Sequence, residues 1–107
     1  MKTTIEMASD LRKGNVKNIF NAIDGIFAYD LTGRGKQFEY SDLADTILDM
    51  VSLYAEGFVK DIAKRFRFNG ELEGRCMSDK QRWCVAFAFQ KLTEENFAAY
   101  TELCANC

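Results

Sequence analysis

The feature that most constrains the fold is a stripe of apolar residues at helical spacing between positions 41 and 68. Its members are Ala44, Ile47, Leu48, Val51, Ala55, Phe58, Val59, Ile62 and Phe66. Such spacing is typical of the buried face of an amphipathic helix. The chain contains no proline, the residue that most strongly interrupts a helix. The pattern therefore predicts one long helix over about residues 41–68, roughly 40 Å long at ~1.5 Å per residue.

The two ends of this predicted helix carry residues that helix ends favour. Ser41 is a suitable N-cap, and the carboxylates of Asp42 and Asp45 suit the positive end of the helix dipole. The Asn69-Gly70 pair is a typical stop signal. We therefore expect this helix to be the element on which the domain is built.

Helical spacing also follows Asn15, through Val16, Ile19, Phe20, Ile23 and Ile26. Asn15 is a good N-cap for a helix that begins there. Ser9 is an alternative N-cap for an earlier start, which would place Gly14 inside the helix at a cost of about 1 kcal/mol. The sequence does not decide between these two starts.

Two further helices are predicted at the C-terminal end. Ser78 and Gln81 form a capping box that opens a helix running to Leu92. This helix is apolar nearly all round, which is typical of a central buried helix. Thr93 is the predicted N-cap of a last, short helix.

Residues 26–40 contain a stretch whose alternating pattern favours strands. Phe27 and Tyr29 alternate before the turn residues 32–35, and Phe38 and Tyr40 alternate after them. We predict a short β-hairpin here, with a helix end followed by a loop as the alternative. The fold class is therefore a mainly α, compact helical domain.

Length and composition limit the domain count and the compartment. The 107 residues correspond to one domain, 1–107, and the formal charge of −2 drives no bulk attraction to nucleic acid or membrane. There is no apolar run long enough to span a membrane and no secretory signal at the start. Four cysteines in such a chain are expected to be reduced thiols or metal ligands. We therefore expect a cytoplasmic protein, of open oligomeric state.

No catalytic motif is present. The chain has no histidine, which removes the commonest general base and the commonest metal ligand at neutral pH. It also has no nucleophile elbow, no P-loop and no glycine fingerprint. We therefore predict that the protein is not an enzyme and needs no cofactor.

The polar face of the long helix provides the predicted partner-binding site. At 100° per residue, four carboxylates fall in one narrow sector with a leucine beside them. The residues are Asp42, Asp45, Asp49, Leu53 and Glu56. The alternative is that acids at the start and bases at the end of a helix only complement its dipole.

A basic patch follows the acidic one and gives an alternative, direct nucleic-acid site. Its residues are Lys60, Lys64, Arg67, Lys80 and Arg82. Phenylalanines interleave with these cations, as in proteins that bind single-stranded nucleic acid.

The cysteines offer a third alternative, a structural zinc site. Cys104 and Cys107 form a CxxC pair, and Cys76 lies in a glycine-containing loop. A tetrahedral zinc needs about four such ligands. The fourth would have to be Cys84, which lies in a predicted core helix, or an outside group.

One segment carries a resemblance to known proteins. A basic helix leads through Gly70 and Leu72 to the turn residues Ser78, Asp79, Lys80 and Gln81, and then to a second apolar helix. This arrangement resembles a helix–GxL…SDKQ–helix unit of small accessory proteins of phages and mobile elements, with residues 73–77 as an insertion. The chain is also similar in general form to anti-CRISPR proteins.

The resemblance implies a protein that acts on the nucleic-acid machinery of a host. The predicted function is a non-enzymatic interaction protein that binds and inhibits or modulates a host nucleic-acid-handling protein, such as an RNA-guided nuclease. Its acidic sector would act as a phosphate-like decoy. Direct nucleic-acid binding and a zinc-stabilised module are the alternatives.

Overall fold

The computed structural model describes residues 3–23, 42–73 and 78–106, with side chains for all of these but 42 and 67–73. These ranges form α-helices and contain no strand, so the prediction of a mainly helical fold is confirmed. The helices are α1 (Thr4–Lys13), α2 (Val16–Ala22), α3 (Asp42–Tyr54), α4 (Phe58–Glu73), α5 (Asp79–Gln90) and α6 (Glu94–Ala105). The hairpin predicted at 26–40 lies outside the described residues.

The N-terminal segment contains two helices. α1 begins after Thr3, whose hydroxyl accepts a hydrogen bond from the Glu6 amide, and ends at Gly14. α2 then begins after Asn15, whose side chain accepts from the Lys17 amide at 2.9 Å. The predicted cap at Asn15 is therefore confirmed. The alternative start at Ser9 is wrong, because Ser9 lies within α1 and Gly14 separates the two helices.

The prediction of one long helix is wrong, because the segment forms two helices. α3 ends at Tyr54, and α4 begins at Phe58 after three non-helical residues. The break contains Gly57 at φ +80°, a conformation that a side chain with a Cβ adopts only at a cost. The apolar spacing continues across the break, so periodicity alone did not indicate it.

The other end of that prediction is also corrected. Asn69-Gly70 does not stop α4, which continues through both residues to Glu73. A glycine inside a helix costs about 1 kcal/mol relative to alanine. Tertiary packing readily offsets a penalty of that size.

The C-terminal helix starts are as predicted. At the start of α5, the Ser78 hydroxyl accepts from the Gln81 amide while the Gln81 side chain accepts from the Ser78 amide. Thr93 and Asn96 make the same reciprocal pair at the start of α6. Local side-chain chemistry sets both starts.

α3 lies at the centre of the described structure. It packs against α1, α4, α5 and α6. Five of its apolar side chains are no more than 1% exposed: Ala44, Ile47, Leu48, Met50 and Val51. Opposite them lie Ala8 of α1, Phe66 of α4, Phe89 of α5 and Phe97 of α6 in the same apolar cluster. Burial of this stripe, rather than helix propensity, holds α3 in place.

None of the helices in the described ranges is both long and apolar enough to cross a lipid bilayer.

The break at Gly57 leads to a stability prediction. Gly57→Ala should lower the free energy of unfolding by about 1–2 kcal/mol, because alanine is strained at positive φ. No described atom lies within 4 Å of the added Cβ, so the effect is conformational rather than steric. Urea unfolding monitored by the tryptophan fluorescence and by helical circular dichroism measures it.

Gly14→Ala is the matched control. Gly14 has φ −94°, and its added Cβ would make ordinary contacts of 3.6 Å or more. That variant should therefore change stability by less than about 0.5 kcal/mol or raise it slightly. Equal losses in the two variants would contradict the assigned backbone conformation at Gly57.

Candidate protein-binding groove

An open groove of about 1070 Å³ lies where the α3–α4 turn and the start of α4 face α5 and the α5–α6 turn. Its lining is mainly apolar, with charged residues among it: Tyr54, Ala55, Glu56, Phe58, Val59, Lys80, Trp83, Cys84, Phe87, Ala88, Lys91, Leu92 and Asn96. Open apolar grooves with few polar groups are typical binding sites.

One wall of the groove is the outward face of α5. Val85, Ala86 and Phe89 turn to the core, whereas Trp83, Cys84 and Phe87 line the groove. Phe87 is 48% exposed. The expectation of a central buried helix is therefore wrong for the outward face of α5, where Phe87 is exposed and Trp83 and Cys84 are only partly buried among the described residues.

Trp83 is held in place by α2. Its ring stacks on Phe20, with centroids 4.1 Å apart and planes at 21°. The Arg82 guanidinium carbon lies 3.7 Å from the same Phe20 centroid. The two groups are too close to the ring to share one of its faces, so Phe20 lies between them. Arg82 also donates to the Phe20 carbonyl at 2.9 Å, which fixes α5 against the end of α2.

The opposite wall contains Phe58, the first residue of α4. Its side chain is 69% exposed, although the helical spacing placed it in the buried stripe. The break at Gly57 explains this difference, because it ends α3 before Phe58 and starts α4 in a new direction. A large aromatic side chain is thus presented to solvent at the edge of the groove.

The residues of the predicted acidic site separate into different environments. Asp45 is exposed, Leu53 is 39% exposed, and Glu56 is exposed and lines the groove. Asp42 begins α3, and its side chain lies outside the description. Glu56 is therefore the member of the predicted set that contributes to the groove.

Asp49 points towards α6. Its Oδ2 accepts a hydrogen bond of 2.6 Å from the Tyr100 hydroxyl, and Tyr100 is only 6% exposed. Burial first, and then the hydrogen bond to Asp49, raises the pKa of Tyr100 above its usual value near 10. Burial and the charge of Asp49 also raise the pKa of Tyr54. Asp49 thus joins α3 to α6.

The residues of the predicted basic patch are also divided. Lys64 and Lys80 are exposed and Lys60 is half-buried, while Arg67 lies in α4 with its side chain outside the description. The Arg82 side chain is only 13% exposed and lies against Phe20 and Asp79. Its position is that of a packing residue between helices.

The predicted zinc ligands are described only in part. Cys104 is an exposed free thiol on α6, whereas Cys76 and Cys107 lie outside the described residues. Within the described ranges, no three potential ligands come together as a metal site. The zinc site stays a prediction.

Sequence reasoning missed most of the groove residues. Phe58 belongs to the predicted buried stripe, Trp83 and Phe87 lie in the helix predicted to be buried, and Lys91 belongs to no predicted site. The composition of α5 could have indicated the groove, because a helix that is apolar on two opposite faces needs a packing partner on each of them.

The chain matches no family model, no curated protein and no solved structure. The functional interpretation therefore rests on the geometry of the chain itself.

The buried Tyr100 leads to a pH-dependence prediction. Its pKa is higher in the folded than in the unfolded protein, so its contribution to stability is complete below about pH 10 and is lost as the pH rises further. The wild-type free energy of unfolding should therefore fall above pH 10, by up to about 1.4 kcal/mol per pH unit from this group. Chemical denaturation at pH 8–11 measures the slope.

Tyr100→Phe separates this contribution from that of other groups. The variant should lose about 1–3 kcal/mol at pH 8, because the partly buried Asp49 loses a donor. It should show a shallower decline above pH 10, since the group that titrates is gone. Parallel pH profiles for the two proteins would contradict the buried position of the hydroxyl.

Proposed function

We propose that this protein is a small, cytoplasmic, non-enzymatic interaction protein that binds and modulates a host nucleic-acid-handling protein. RNA-guided nucleases are one class of such targets, as for anti-CRISPR proteins. The groove between α4 and α5 is the proposed docking surface. Leu53 and Asp45 extend the contact along α3, and Glu56 belongs to the groove lining itself.

The observation that carries this proposal is the exposure of two large aromatic side chains in one groove. Phe58 and Phe87 are 69% and 48% exposed and line the same cavity. Single exposed apolar residues are ordinary, but several together mark interaction surfaces. Aromatic residues in such positions often supply most of the binding energy.

The proposed decoy mechanism uses fewer carboxylates than the four of the predicted acidic site. Asp49 is hydrogen-bonded to the buried Tyr100, whereas Asp45 and Glu56 are exposed, so the phosphate-like charges are assigned to these two exposed carboxylates. Charged groups of this kind affect the rate and specificity of association more than its final affinity. The apolar groove is therefore assigned the larger part of the affinity.

A capture experiment tests the proposal. Tagged wild-type protein, Phe58→Ala and Phe87→Ala are used to recover partners from a host lysate treated with nuclease, and recovered proteins are quantified by mass spectrometry. A partner that uses the groove should fall by about tenfold or more in each variant. Phe58→Ala should keep wild-type stability because that side chain is largely exposed, whereas Phe87→Ala should lose a small amount because Phe87 is half exposed and contacts Trp83.

Leu103→Ala is the matched control. Leu103 is 46% exposed, a fraction similar to that of Phe87. It lies on α6, outside the groove lining. Its substitution should leave recovery unchanged. Equal recovery of the same partner by all four proteins would rule out the groove as the docking surface.

The alternative function, direct nucleic-acid binding, is supported by a specific juxtaposition. Trp83 and Phe87 lie between Lys80 and Lys91, and aromatic rings beside lysines are used to bind single strands. This function predicts that recovery disappears after nuclease treatment. It also predicts a steep salt dependence, with a log–log slope of about −0.7 per phosphate contact on single strands.

Two features favour a protein partner. The groove includes the carboxylate of Glu56, and the whole chain has a net charge of −2. Both oppose a polyanion.

A further inference from the structure

The outward face of α5 has a regular pattern of charge and apolarity. Lys80 lies in the first turn of α5, and Lys91 is its C-cap in a helical backbone conformation. They are eleven residues apart, which at 100° per residue places them within about 20° of each other around the helix axis. The same spacing separates them by about 16 Å along the axis. Trp83, Cys84 and Phe87 lie between them and line the groove with them. The wall is thus an apolar strip with an ammonium group at each end.

These two ammonium groups have no ionic partner within the described ranges. Lys80 and Lys91 are exposed, and the ion pairs there involve Arg12, Lys13 and Arg82 instead. Glu56 lies in the lining contributed by the α3–α4 turn. A ligand along α5 therefore meets positive charge at both ends of an apolar contact.

The shape of the groove indicates an elongated apolar ligand. The volume of about 1070 Å³ is at the upper end of small-molecule pockets. The groove is bounded by one helix along its length and by the start of another. Such grooves typically accept the apolar face of an amphipathic helix, with anchors at positions i, i+3 or i+4, and i+7.

We propose that the occupant is an amphipathic helix of the partner protein that carries two carboxylates eleven residues apart on its apolar face, one at each end of the anchors. The carboxylates pair with Lys80 and Lys91, and the anchors contact Trp83 and Phe87. This inference rests on the proposed function and specifies the partner's chemistry.

The size of the charge effect follows from the exposure of the lysines. Exposed ion pairs contribute little individually, so the two pairs together should change affinity by about threefold to tenfold at low salt. The apolar anchors determine whether binding occurs. The carboxylates determine which helix is preferred.

Three synthetic 16-residue helical peptides test the inference. All carry the same leucine anchors in an alanine and glutamine background. The first has glutamates at positions 2 and 13, on the anchor face. The second has them at positions 4 and 11, on the opposite face at the same net charge. The third has lysines at positions 2 and 13.

Fluorescence anisotropy at low salt measures the affinities. The first peptide should bind about threefold to tenfold more tightly than the second, and more tightly still than the third. Phe87→Ala should weaken binding of the first two peptides by a similar factor. The preference for the first peptide should decrease in high salt, because exposed charges are screened.

Charge reversal of the groove supplies the decisive variant. Lys80→Glu/Lys91→Glu should invert the order, so that the lysine peptide binds best. Lys80 lies in the first turn of α5, where a glutamate is compatible with the helix dipole. Lys60→Glu/Lys64→Glu changes the net charge equally on α4, outside the groove lining, and should leave the order unchanged.

Several outcomes overturn the inference. They are equal binding of the first two peptides, no binding of any peptide up to 1 mM, or tighter binding of a single-stranded 15-mer oligonucleotide. A concentration-dependent dimer that Phe87→Ala abolishes would assign the groove to a second copy of the chain. The peptide experiment and the capture experiment test different proposals. If the peptides show no charge preference but capture still depends on the groove, only the carboxylate pairing is refuted.

Discussion

The positive φ of Gly57 is the constraint on which the arrangement of the described structure depends. It separates α3, which ends at Tyr54, from α4, which packs against α3. The same break turns Phe58 out of the buried stripe and forms one edge of the groove.

Two arginines join distant helices by a common scheme. The Arg12 guanidinium donates to the Leu92 carbonyl at 2.8 Å and lies 5.0 Å from the Phe97 ring centroid. Arg82 does the same with the carbonyl and ring of Phe20. In each case a planar cation satisfies a carbonyl near a helix end and covers an aromatic face. Among the described residues, the outward face of α5 keeps an exposed apolar side chain, that of Phe87.

The separation of Asp49 from the other acids has a functional consequence. Its carboxylate stabilises the contact between α3 and α6 through Tyr100, so it belongs to the scaffold. Asp45 and Glu56 remain exposed. Residues that share a sector of a helical wheel thus divide between folding and surface chemistry once neighbouring helices are packed against them.

The sequence by itself determined the helical class and the starts of α2, α5 and α6, because capping is a local interaction among residues within three positions. It also determined most of the core positions of α3, since a strong apolar period identifies a buried face. Only the tertiary structure decided where the long stripe breaks, which face of α5 is covered, and that Arg82 and Asp49 point inward. Those outcomes depend on contacts between residues about 50 to 60 positions apart, and periodicity contains no information on which neighbour lies against which face.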